Sequence, residues 1–439
     1  MTGSVASSGW AGSSGWAGSS GWAGSVGGTA LPGNRWDLLD GREPATPPSV
    51  SVVVVHYDQQ AELDRTLRGL ARQDHPADRT EVIVVDDGSP EPPRVPDGVR
   101  LVRQEDRGFR AAAARNLGAS LATGDVLVFL DADTTPEPGY LRAISRLPAL
   151  APDCVVAGRR RHADLAGVPV DTPVEQAGPA HELTEPAWLV EAYRRTHDLL
   201  DVDDRSYRYL IGAVMACSRA FFAATGGFDE GFDAYGGEDW EWTYRAWLAG
   251  AVLAHVRSAV AWHDGPDWSG RDAASQEKKN AEALRLADLV PVPGSRGHGL
   301  PTAHADVVVR GPEGASPAQR FVSVDSVLAG LLGAVALPPD ATDAPPFDRV
   351  RVEVLVEHPV QADGDAVAAA VDRVAAEALG ELALRDPDGR LLLRVRSRRA
   401  LAREGRWGGT PLFPRAEVVT RDVVALTGEP DVERYVGGW

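Results

Sequence analysis

Paired carboxylates occur at three points of the chain, where they could bind a metal ion, hold a ligand or accept a proton. The pairs are Asp86 with Asp87, Asp131 with Asp133, and Glu238 with Asp239. Alternate residues of an extended chain point to one side, so the carboxylates of Asp131 and Asp133 can face the same ion. Such oxygen ligands favour Mg²⁺ or Mn²⁺, which also bind substrate phosphates. The alternative is a turn at a strand end, where aspartate is common.

Asp86 and Asp87 end an apolar run and could contact a nucleotide. A carboxylate at a strand end can accept hydrogen bonds from a ribose hydroxyl or a base N–H. The alternative is again a turn, which the following Gly88 and Ser89 favour. Neither G-x-G-x-x-G nor G-x-x-x-x-G-K-[ST] occurs in the chain, so a dinucleotide-binding loop and a P-loop are not supported.

Glu238 and Asp239 follow two glycines in the stretch GGEDWEW. Glycine permits a tight backbone approach, and the dipole at a helix N-terminus favours ionised carboxylates. An ionised acid that faces a cleft can accept a proton from a substrate hydroxyl. The alternative is an ordinary helix start, stabilised slightly by the i,i+4 pair of Glu241 and Arg245.

Arg115 and His263 are single residues that could complete a site with these acids. Arg115 lies on a predicted helix between the first two acid pairs, where a guanidinium facing the cleft would neutralise phosphate. His263 ends a predicted strand and could be a third metal ligand beside Asp133. The simpler interpretations are a surface arginine and a structural histidine.

The first two acid pairs end strands of a predicted parallel sheet. Continuous β-branched runs indicate strands buried on both faces, and leucine or alanine at helical spacing separates them. The strands are SVSVVVVHY from Ser49, EVIVVDDGSP from Glu81 and DVLVFLDAD from Asp125. Strand–helix alternation predicts an α/β fold with right-handed crossovers. Ligands of such sheets bind at the carboxyl ends of the strands, where Tyr57 and the acids gather.

The rest of the chain divides into a tail and a second module. SSGWAG occurs three times within residues 1–48, and Gly and Ser do not specify a fold, so these residues are predicted to be a disordered tail. Residues 49–300 contain the predicted sheet domain. Residues 301–439 are predicted to form a small α+β module, with alternating valines from Val350, a helix and a hairpin. The module contains no pattern that indicates chemistry.

Composition excludes several classes of protein. The chain has 439 residues and a formal net charge of −18, which argues against nucleic-acid binding because phosphate needs a basic surface. Two cysteines suffice neither for a disulfide framework nor for a four-thiolate zinc site, and they suit a reducing cytoplasm. No apolar run is long enough for a membrane span, and the N-terminus does not resemble a signal peptide.

The ordered set of motifs resembles the family 2 glycosyltransferases of the GT-A fold. The resemblance rests on the first strand and helix, on VIVVDDGS, on RGFRAAAARNLGASLATGDVLVFLDADT, and on GGFDEGFDAYGGEDWEWTYRAWLAGAVLAHVRSAVAWH. It covers residues 49–265 and reaches neither the tail nor the C-terminal module. It implies a nucleotide-diphospho-sugar transferase fold with a Rossmann-like mixed sheet.

The resemblance implies a donor site with a metal ion. Asp131 and Asp133 match the family's D-x-D, whose second acid binds Mn²⁺ or Mg²⁺ on the donor diphosphate. His263 matches a late histidine that ligates the metal in many members. Four residues match donor-binding positions: Tyr57, Asp86, Asp87 and Arg115. Val55 and Asp58 stand where the family usually has proline and asparagine, which affects nucleotide contacts rather than the class.

The resemblance also implies a reaction. Asp239 matches the general base of the family's ED motif, and Glu238 matches the acid that supports the acceptor. The expected enzyme is an inverting hexosyltransferase. The base deprotonates an acceptor hydroxyl, which attacks the anomeric carbon while the metal stabilises the departing diphosphate. UDP is the expected nucleotide, whereas the acceptor is open among a glycan, a peptide, a lipid and a natural product.

Two other functions remain open. A sugar nucleotidyltransferase also has paired acids, but it needs a glycine-rich basic loop after the first strand, where this chain has HYDQQAELD. A non-catalytic nucleotide-sugar-binding adaptor would use the C-terminal module and the tail, although every acid that the chemistry needs is present. The C-terminal module is expected to recognise the acceptor or to form a homodimer.

Overall fold

The computed structural model describes residues 27–233, 236–266, 274–300, 302–338, 341 and 345–438. The SSGWAG repeats lie outside these residues. Among the helices in the described ranges, none combines the length and the apolar character that crossing a bilayer requires.

The first half of the main sheet has the predicted parallel order. Its strands are β1 (Val50–His56), β2 (Thr80–Asp86), β3 (Arg100–Arg103) and β4 (Val126–Asp131). β1 lies between β2 and β4, and the β1–β2, β1–β4 and β2–β3 pairings are all parallel. Helices α1 (Gln60–Ala71) and α2 (Ala111–Leu121) connect these strands. The carboxyl ends of β1, β2 and β4 therefore meet at one edge.

The second half of the sheet adds antiparallel strands, so the sheet is mixed. Its strands are β5 (Thr134–Pro136), β6 (Cys154–Ala163), β7 (Glu182–Leu183), β8 (Val214–Ser218) and β9 (Val252–Asp264). The order is β3-β2-β1-β4-β8-β6-β9-β5, with β7 paired to β6. The second half of β6 is the polar run RRRHA.

Helices cover both faces of this sheet, which explains the unbroken valine run of β1. Val52 and Val54 pack in one core with α1, whereas Val53 packs in the other with α2; all three are fully buried. The remaining helices of this unit are α3 (Tyr140–Leu150), α4 (Val174–Ala180), α5 (Ala187–Arg195), α6 (Arg219–Ala224), α7 (Glu238–Leu248) and α8 (Ala274–Leu289).

A second unit follows, with the predicted mixture of helices and strands. Its strands are β10 (Val307–Arg310), β11 (Ala334–Ala336), β12 (Val352–Val356), β13 (Val360–Ala362), β14 (Glu381–Arg385), β15 (Leu391–Ser397), β16 (Arg415–Val419) and β17 (Val423–Ala425). Six strands form a sheet in the order β11-β10-β12-β15-β14-β16, and β13 pairs with β17. The helices are α9 (Pro317–Leu328), α10 (Gly364–Ala376), α11 (Arg398–Arg406) and α12 (Val432–Tyr435). The predicted hairpin is the antiparallel β14–β15 pair. The boundary at residue 300 stays a prediction.

Residues 1–48 were predicted to be a disordered tail, and this prediction is wrong for residues 27–48, the part of the tail that the structure describes. Leu31 and Leu39 are 2% and 0% exposed and pack in the core with β1. The amide of Asn34 donates to the carbonyl oxygens of Leu199 and Leu253 at 2.6 and 2.8 Å. Residues 27–48 are therefore packed on the sheet unit. The apolar residues Leu31 and Leu39 stand among glycines and prolines, so the composition of the segment did not indicate that it is packed.

The two units share a buried interface. Arg351 of the second unit pairs with Asp204 at 2.9 Å. The guanidinium of Arg399 lies 3.5 Å from the centroid of the Trp247 ring at the end of α7. Both arginines are buried, so the second unit packs directly on the first.

Candidate active site

A cleft of about 440 Å³ opens at the carboxyl ends of β1, β2 and β4. Its lining comes from strands, from the loops that follow them and from helix α2: Val55, Tyr57, Gln59, Asp87, Asp106, Gly108, Phe109, Ala111, Arg115, Asp131, Asp133, Arg160 and His263. This is the edge at which α/β sheets bind small ligands, and the volume suits one. The cleft brings together most of the residues expected to bind the donor and the metal.

Arg115 joins two of the acid groups. Its Nη2 donates to Oδ1 of Asp131 at 2.9 Å, and its Nη1 donates to Oε1 of Glu238 at 2.5 Å. The three side chains come from α2, β4 and α7. Arg115 is only 4% exposed; burial disfavours its charge, but the two carboxylates outweigh burial and raise its pKa. The guanidinium is thus a fixed positive charge between the strand-end acids and the acids of α7.

Asp133 and His263 face each other in the cleft. Nε2 of His263 lies 3.6 Å from Oδ2 of Asp133, and its Nδ1 lies 3.1 Å from the carbonyl oxygen of Gly265. The carbonyl fixes the proton on Nδ1 and leaves the Nε2 lone pair directed toward Asp133. Burial, followed by the charge of Asp131, raises the pKa of Asp133 to about 6, and burial lowers the pKa of His263. A divalent cation would offset the electrostatic repulsion between the carboxylates of Asp131 and Asp133.

The assignment of Asp131, Asp133 and His263 as three ligands of one metal ion stays a prediction. Within the described ranges, no three His, Cys, Asp or Glu side chains are grouped so that they could hold a metal ion. Asp131 is engaged by Arg115 and does not join the other two. Mg²⁺ and Mn²⁺ are commonly held by one or two protein groups together with substrate phosphates. The pair of Asp133 and His263 therefore fits a metal ion that arrives with a diphosphate.

Asp86 and Asp87 lie in different environments. Asp86 is fully buried and does not line the cleft; its carboxylate contacts Nδ1 of His56 at 3.0 Å, the hydroxyl of Ser89 and Nε of Arg103 at 3.2 Å. Asp87 lines the cleft, and burial raises its pKa. Asp86, which was expected to contact the donor, thus stabilises the end of β2, while Asp87 faces the cleft.

Two aromatic rings stand at the mouth of the cleft. Tyr57 and Phe109 are 47% and 40% exposed, and both line the cleft. Flat rings of this kind suit a nucleobase. Asp58, which departs from the usual asparagine, has a φ of 49°, a left-handed conformation that Asn and Asp tolerate. Its backbone N–H donates to the hydroxyl of Ser89 at 2.9 Å, so Asp58 serves the turn beside Tyr57.

Helix α7 begins with the acid pair, as the sequence predicted. Gly236 and Gly237 have φ values of 92° and 93°, which side chains rarely adopt. Oδ2 of Asp239 accepts the backbone N–H of Gly212 at 2.8 Å. Burial, followed by the charge of Glu238, raises the pKa of Asp239 to about 7. A carboxyl with this pKa can exchange a proton with a substrate near neutral pH.

A buried network of charges holds α7 from behind. Glu241 is fully buried, accepts a hydrogen bond from Nε of Arg245 at 2.7 Å, and contacts Nη1 of Arg349. Burial alone would raise the pKa of Glu241, but Arg245 and Arg349 outweigh burial and lower it to about 2. The i,i+4 pair was predicted from the sequence. Arg349 belongs to the second unit and was not.

Residues of the site that were missed from the sequence include Gln59, Arg160 and Glu282. Gln59 and Arg160 line the cleft, and Nε2 of Gln59 lies 3.4 Å from Oδ2 of Asp133. Glu282 on α8 lies against Gly236, where a Cβ would meet its Oε2 at 2.8 Å. Burial, followed by Asp239, raises the pKa of Glu282 to about 7. Gln59 stands two residues after Tyr57 and could have been inferred, whereas Arg160 and Glu282 lie in charged runs without a distinguishing pattern.

Two segments of the chain match family models of sugar transferases. Residues 51–172 match the model described as Glycosyl transferase family 2, and residues 197–261 match the N-terminal domain of galactosyltransferase. The first match contains the strand-end acids, and the second contains Glu238 and Asp239. These matches confirm the resemblance to the family 2 glycosyltransferases, and the mixed α/β sheet agrees with the fold class that the motifs indicated.

Named relatives agree with the predicted enzyme class. The chain is 28% identical to hyaluronan synthase of Pasteurella multocida over 267 residues, which are 55% of this chain and 27% of the relative. It is 28% identical to chondroitin synthase of Escherichia coli over 285 residues, 59% of this chain and 41% of the relative. It is 35% identical to validoxylamine A glucosyltransferase of Streptomyces hygroscopicus subsp. limoneus over 231 residues, 48% of this chain and 51% of the relative. The matches thus span between about a quarter and about half of these relatives.

Solved structures give more distant likenesses. GalNAc-T7 with UDP, GalNAc and Mn²⁺ has a TM-score of 0.41 and 18% identity, over 57% of this chain and 52% of that chain. The mannosyltransferase PcManGT from Pyrobaculum calidifontis, in complex with GDP-Man and Mn²⁺, has a TM-score of 0.37 and 20% identity, over 58% of this chain and 67% of that chain. Likenesses at this level carry no argument about function.

Proposed function

We propose that the protein transfers a sugar from a nucleotide-diphosphate sugar to a hydroxyl group of an acceptor, with inversion at the anomeric carbon. The observation that carries this proposal is the bridge made by Arg115, which links Asp131 at the strand ends to Glu238 beside Asp239. A donor bound in the cleft would lie on one side of this bridge, and an acceptor hydroxyl at Asp239 on the other. A direct displacement needs the acceptor hydroxyl and the departing diphosphate on opposite faces of the anomeric carbon, and groups on two sides of the bridge can hold them so.

Asp239 is the proposed general base. Above its pKa of about 7 it is a carboxylate and takes the proton of the acceptor hydroxyl. The hydroxyl oxygen forms the new bond to the anomeric carbon, and the bond from that carbon to the diphosphate breaks. Glu238 is bound by Arg115 at 2.5 Å, so its proposed role is to hold that guanidinium and to line the acceptor side.

Asp133 and His263 are the proposed ligands of Mn²⁺ or Mg²⁺. When bound, the ion would neutralise the charge that develops on the departing diphosphate. Arg115 lines the same cleft and supplies a fixed positive charge beside it. The close approach of Asp133 and His263, at 3.6 Å, supports this assignment.

A UDP-sugar is the proposed donor. Asp87 is a hydrogen-bond acceptor in the cleft, and uracil offers an N–H to such a group, while Tyr57 and Phe109 offer rings to its face. The match of residues 197–261 to a galactosyltransferase domain favours a galactosyl-type sugar.

Further assignments of the whole chain are proposals of the same kind. Residues 301–439 are proposed to be an accessory domain that either recognises the acceptor or forms a homodimer. The described cysteines, Cys154 and Cys217, are buried free thiols, which a reducing compartment preserves, so a cytoplasmic location is proposed.

Two variants separate donor binding from proton transfer. Asp133→Ala is expected to lose both metal-dependent donor hydrolysis and transfer. Asp239→Asn is expected to bind nucleotide normally in calorimetry and to lose transfer by roughly 10²- to 10⁴-fold, the usual contribution of a general base. Asp171→Ala, which changes an acid whose side chain is 83% exposed, is the control and keeps wild-type activity.

The product's anomeric configuration, read by NMR, completes this test. Inversion relative to the donor is expected. Retained configuration would contradict the direct displacement, and full transfer by Asp239→Asn would contradict the assignment of the base.

A further inference from the structure

Three aromatic rings from separate elements lie together beside the acid pair of α7. This aromatic platform consists of Trp188 on α5, Tyr209 in the 3₁₀ turn Ser206–Tyr209, and Trp240 on α7. The ring centroid of Trp188 is 6.2 Å from that of Trp240, edge to face, and 6.4 Å from that of Tyr209. Trp188 is 47% exposed, whereas Tyr209 is 6% exposed. The large ring of Trp188 is therefore exposed to solvent and packs on more deeply buried neighbours.

The platform is fixed relative to Asp239. Oδ1 of Asp239 accepts the backbone N–H of Trp240 at 2.8 Å, and Oδ2 accepts that of Gly212 at 2.8 Å. Gly212 follows Tyr209 by three residues, a separation of at most ~10 Å along the chain. Both oxygens of the proposed base are thus bonded to the segments that carry the platform's rings. The platform therefore borders Asp239 on the side of Trp240 and Gly212.

Tyr209 is held by hydrogen bonds at its ring hydroxyl and at its backbone carbonyl. Nη2 of Arg195 donates to its hydroxyl at 3.0 Å, and its carbonyl oxygen accepts the hydroxyl of Tyr193 at 2.6 Å. Trp188 packs against this fixed ring at the start of α5. A rigid aromatic surface loses little conformational entropy when a ligand binds. The platform is therefore already formed without its ligand.

A saccharide is the ligand whose chemistry matches this surface. One face of a sugar ring is made of C–H groups that pack on aromatic rings, while its hydroxyls need polar partners at the edge. Glu185 and Glu191 flank Trp188 in the chain and pair with Arg159 at 2.5 Å and with Arg194 at 2.6 Å. An alkyl chain laid across the platform would desolvate these ion pairs and offer them no hydrogen bond. The surroundings thus favour a hydroxyl-bearing ring over a lipid.

We propose that the aromatic platform is an acceptor subsite for a saccharide, in which Trp188 and Trp240 stack one sugar unit while a hydroxyl of the neighbouring unit faces Asp239. This inference rests on the proposed function and narrows its acceptor to a carbohydrate. Trp188 does not line the donor cleft, so acceptor binding and donor chemistry can be changed separately.

The test compares Trp188→Ala and Trp188→Phe with the wild-type protein. The acceptors are lactose, cellobiose, diacetylchitobiose and a serine-containing peptide, each offered with the donor that the wild type hydrolyses. Loss of one aromatic stacking contact is expected to raise the saccharide KM roughly tenfold in Trp188→Ala, and Trp188→Phe is expected to recover most of that loss. Donor hydrolysis without an acceptor is expected to stay at the wild-type rate in both variants.

Phe321→Ala is the matched control. Phe321 is also an exposed aromatic residue, 45% exposed and in an edge-to-face pair with Tyr435, but it lies in the second unit away from Asp239. It is expected to leave the saccharide KM unchanged.

Three results would overturn the inference. They are an unchanged saccharide KM in Trp188→Ala, an equal rise in Phe321→Ala, and transfer to the peptide but to none of the saccharides. Saturation-transfer NMR of the same saccharides with the wild type and Trp188→Ala gives an answer that needs no turnover. Saccharide binding that Trp188→Ala weakens, in a protein that hydrolyses no donor, would support the subsite and contradict the proposed function.

Discussion

Replacing Asp239 with asparagine is expected to inactivate the protein and, above neutral pH, to stabilise it. Burial and the charge of Glu238 raise the pKa of Asp239 from 3.8 to about 7. A shift of about three units corresponds to about 4 kcal/mol of unfavourable free energy for the ionised carboxylate in the folded state. The folded protein thus carries a destabilised acid at the position where the proposed chemistry needs one.

The pH dependence of this cost has a definite sign. Between about pH 4 and pH 7 the unfolded chain ionises Asp239 while the folded protein keeps the proton, so stability falls as the pH rises. Above about pH 7 both states are ionised and the whole cost remains. Asparagine does not titrate. Its amide oxygen can still accept the N–H of Gly212, but its NH2 group replaces the oxygen that accepts the N–H of Trp240. The lost hydrogen bond returns about 1–3 kcal/mol, so a net gain of about 1–3 kcal/mol is expected near pH 8.

Urea unfolding, followed by tryptophan fluorescence at about pH 5 and about pH 8, measures the stability difference between wild type and Asp239→Asn. The free-energy cost of ionised Asp239 is larger at the upper pH than at the lower pH. Asp239→Asn is expected to unfold at higher urea than wild type at the upper pH, with the advantage shrinking or reversing at the lower pH. Asp171→Asn, at an exposed acid, is the control and should follow wild type at both. Equal or lower stability of Asp239→Asn at the upper pH would refute the reasoning.

Three other predictions follow from the same contacts. Glu238→Gln removes a charge that raises the pKa of Asp239, so the rise of the transfer rate with pH is expected to move to lower pH; an unmoved profile would show that Glu238 does not act on the base. Arg349→Met takes one partner from the fully buried Glu241 and is expected to cost about 3 kcal/mol in thermal unfolding, most of which the double variant with Glu241→Met recovers; equal melting of single variant and wild type would contradict this. Tyr57→Ala removes an exposed ring from the cleft and is expected to raise the donor KM roughly tenfold without changing acceptor KM; an unchanged donor KM would remove Tyr57 from the donor site.

Local sequence patterns predicted the parts of the fold that depend on local physics. The valine run of β1 indicated a strand buried on both faces, and Val52 and Val53 are indeed buried in opposite cores. Gly236 and Gly237 indicated a tight backbone approach before a helix, and both have positive φ, which glycine adopts without strain. The positions of the strand-end acids followed from the rule that parallel strands end at one edge.

Contacts between distant parts of the chain could not be predicted in this way. Arg115 meets Glu238 across 123 residues, and Arg349 meets Glu241 across 108 residues, and neither arginine differs in its local pattern from a surface residue. Because Asp131 pairs with Arg115, Asp133 is the acid of this pair that contacts His263. Register and tertiary packing set these partners, and short-range periodicity carries no information about either.

The packing of residues 27–48 was missed for a different reason. A segment rich in glycine and proline has the composition of a flexible chain, yet Leu31 and Leu39 are sufficient to anchor it in the core. Composition averages over a segment, whereas burial depends on a few positions within it.

The central claim is that the cleft binds a nucleotide sugar and a metal for transfer, and release of nucleotide by the wild-type protein tests it most directly. A panel of nucleotide sugars is incubated without acceptor, with Mn²⁺, with Mg²⁺ and with a chelator. Hydrolysis of one donor that needs the metal and is absent in Asp133→Ala is the predicted result. No release from any donor, together with no nucleotide binding in calorimetry, would contradict the claim.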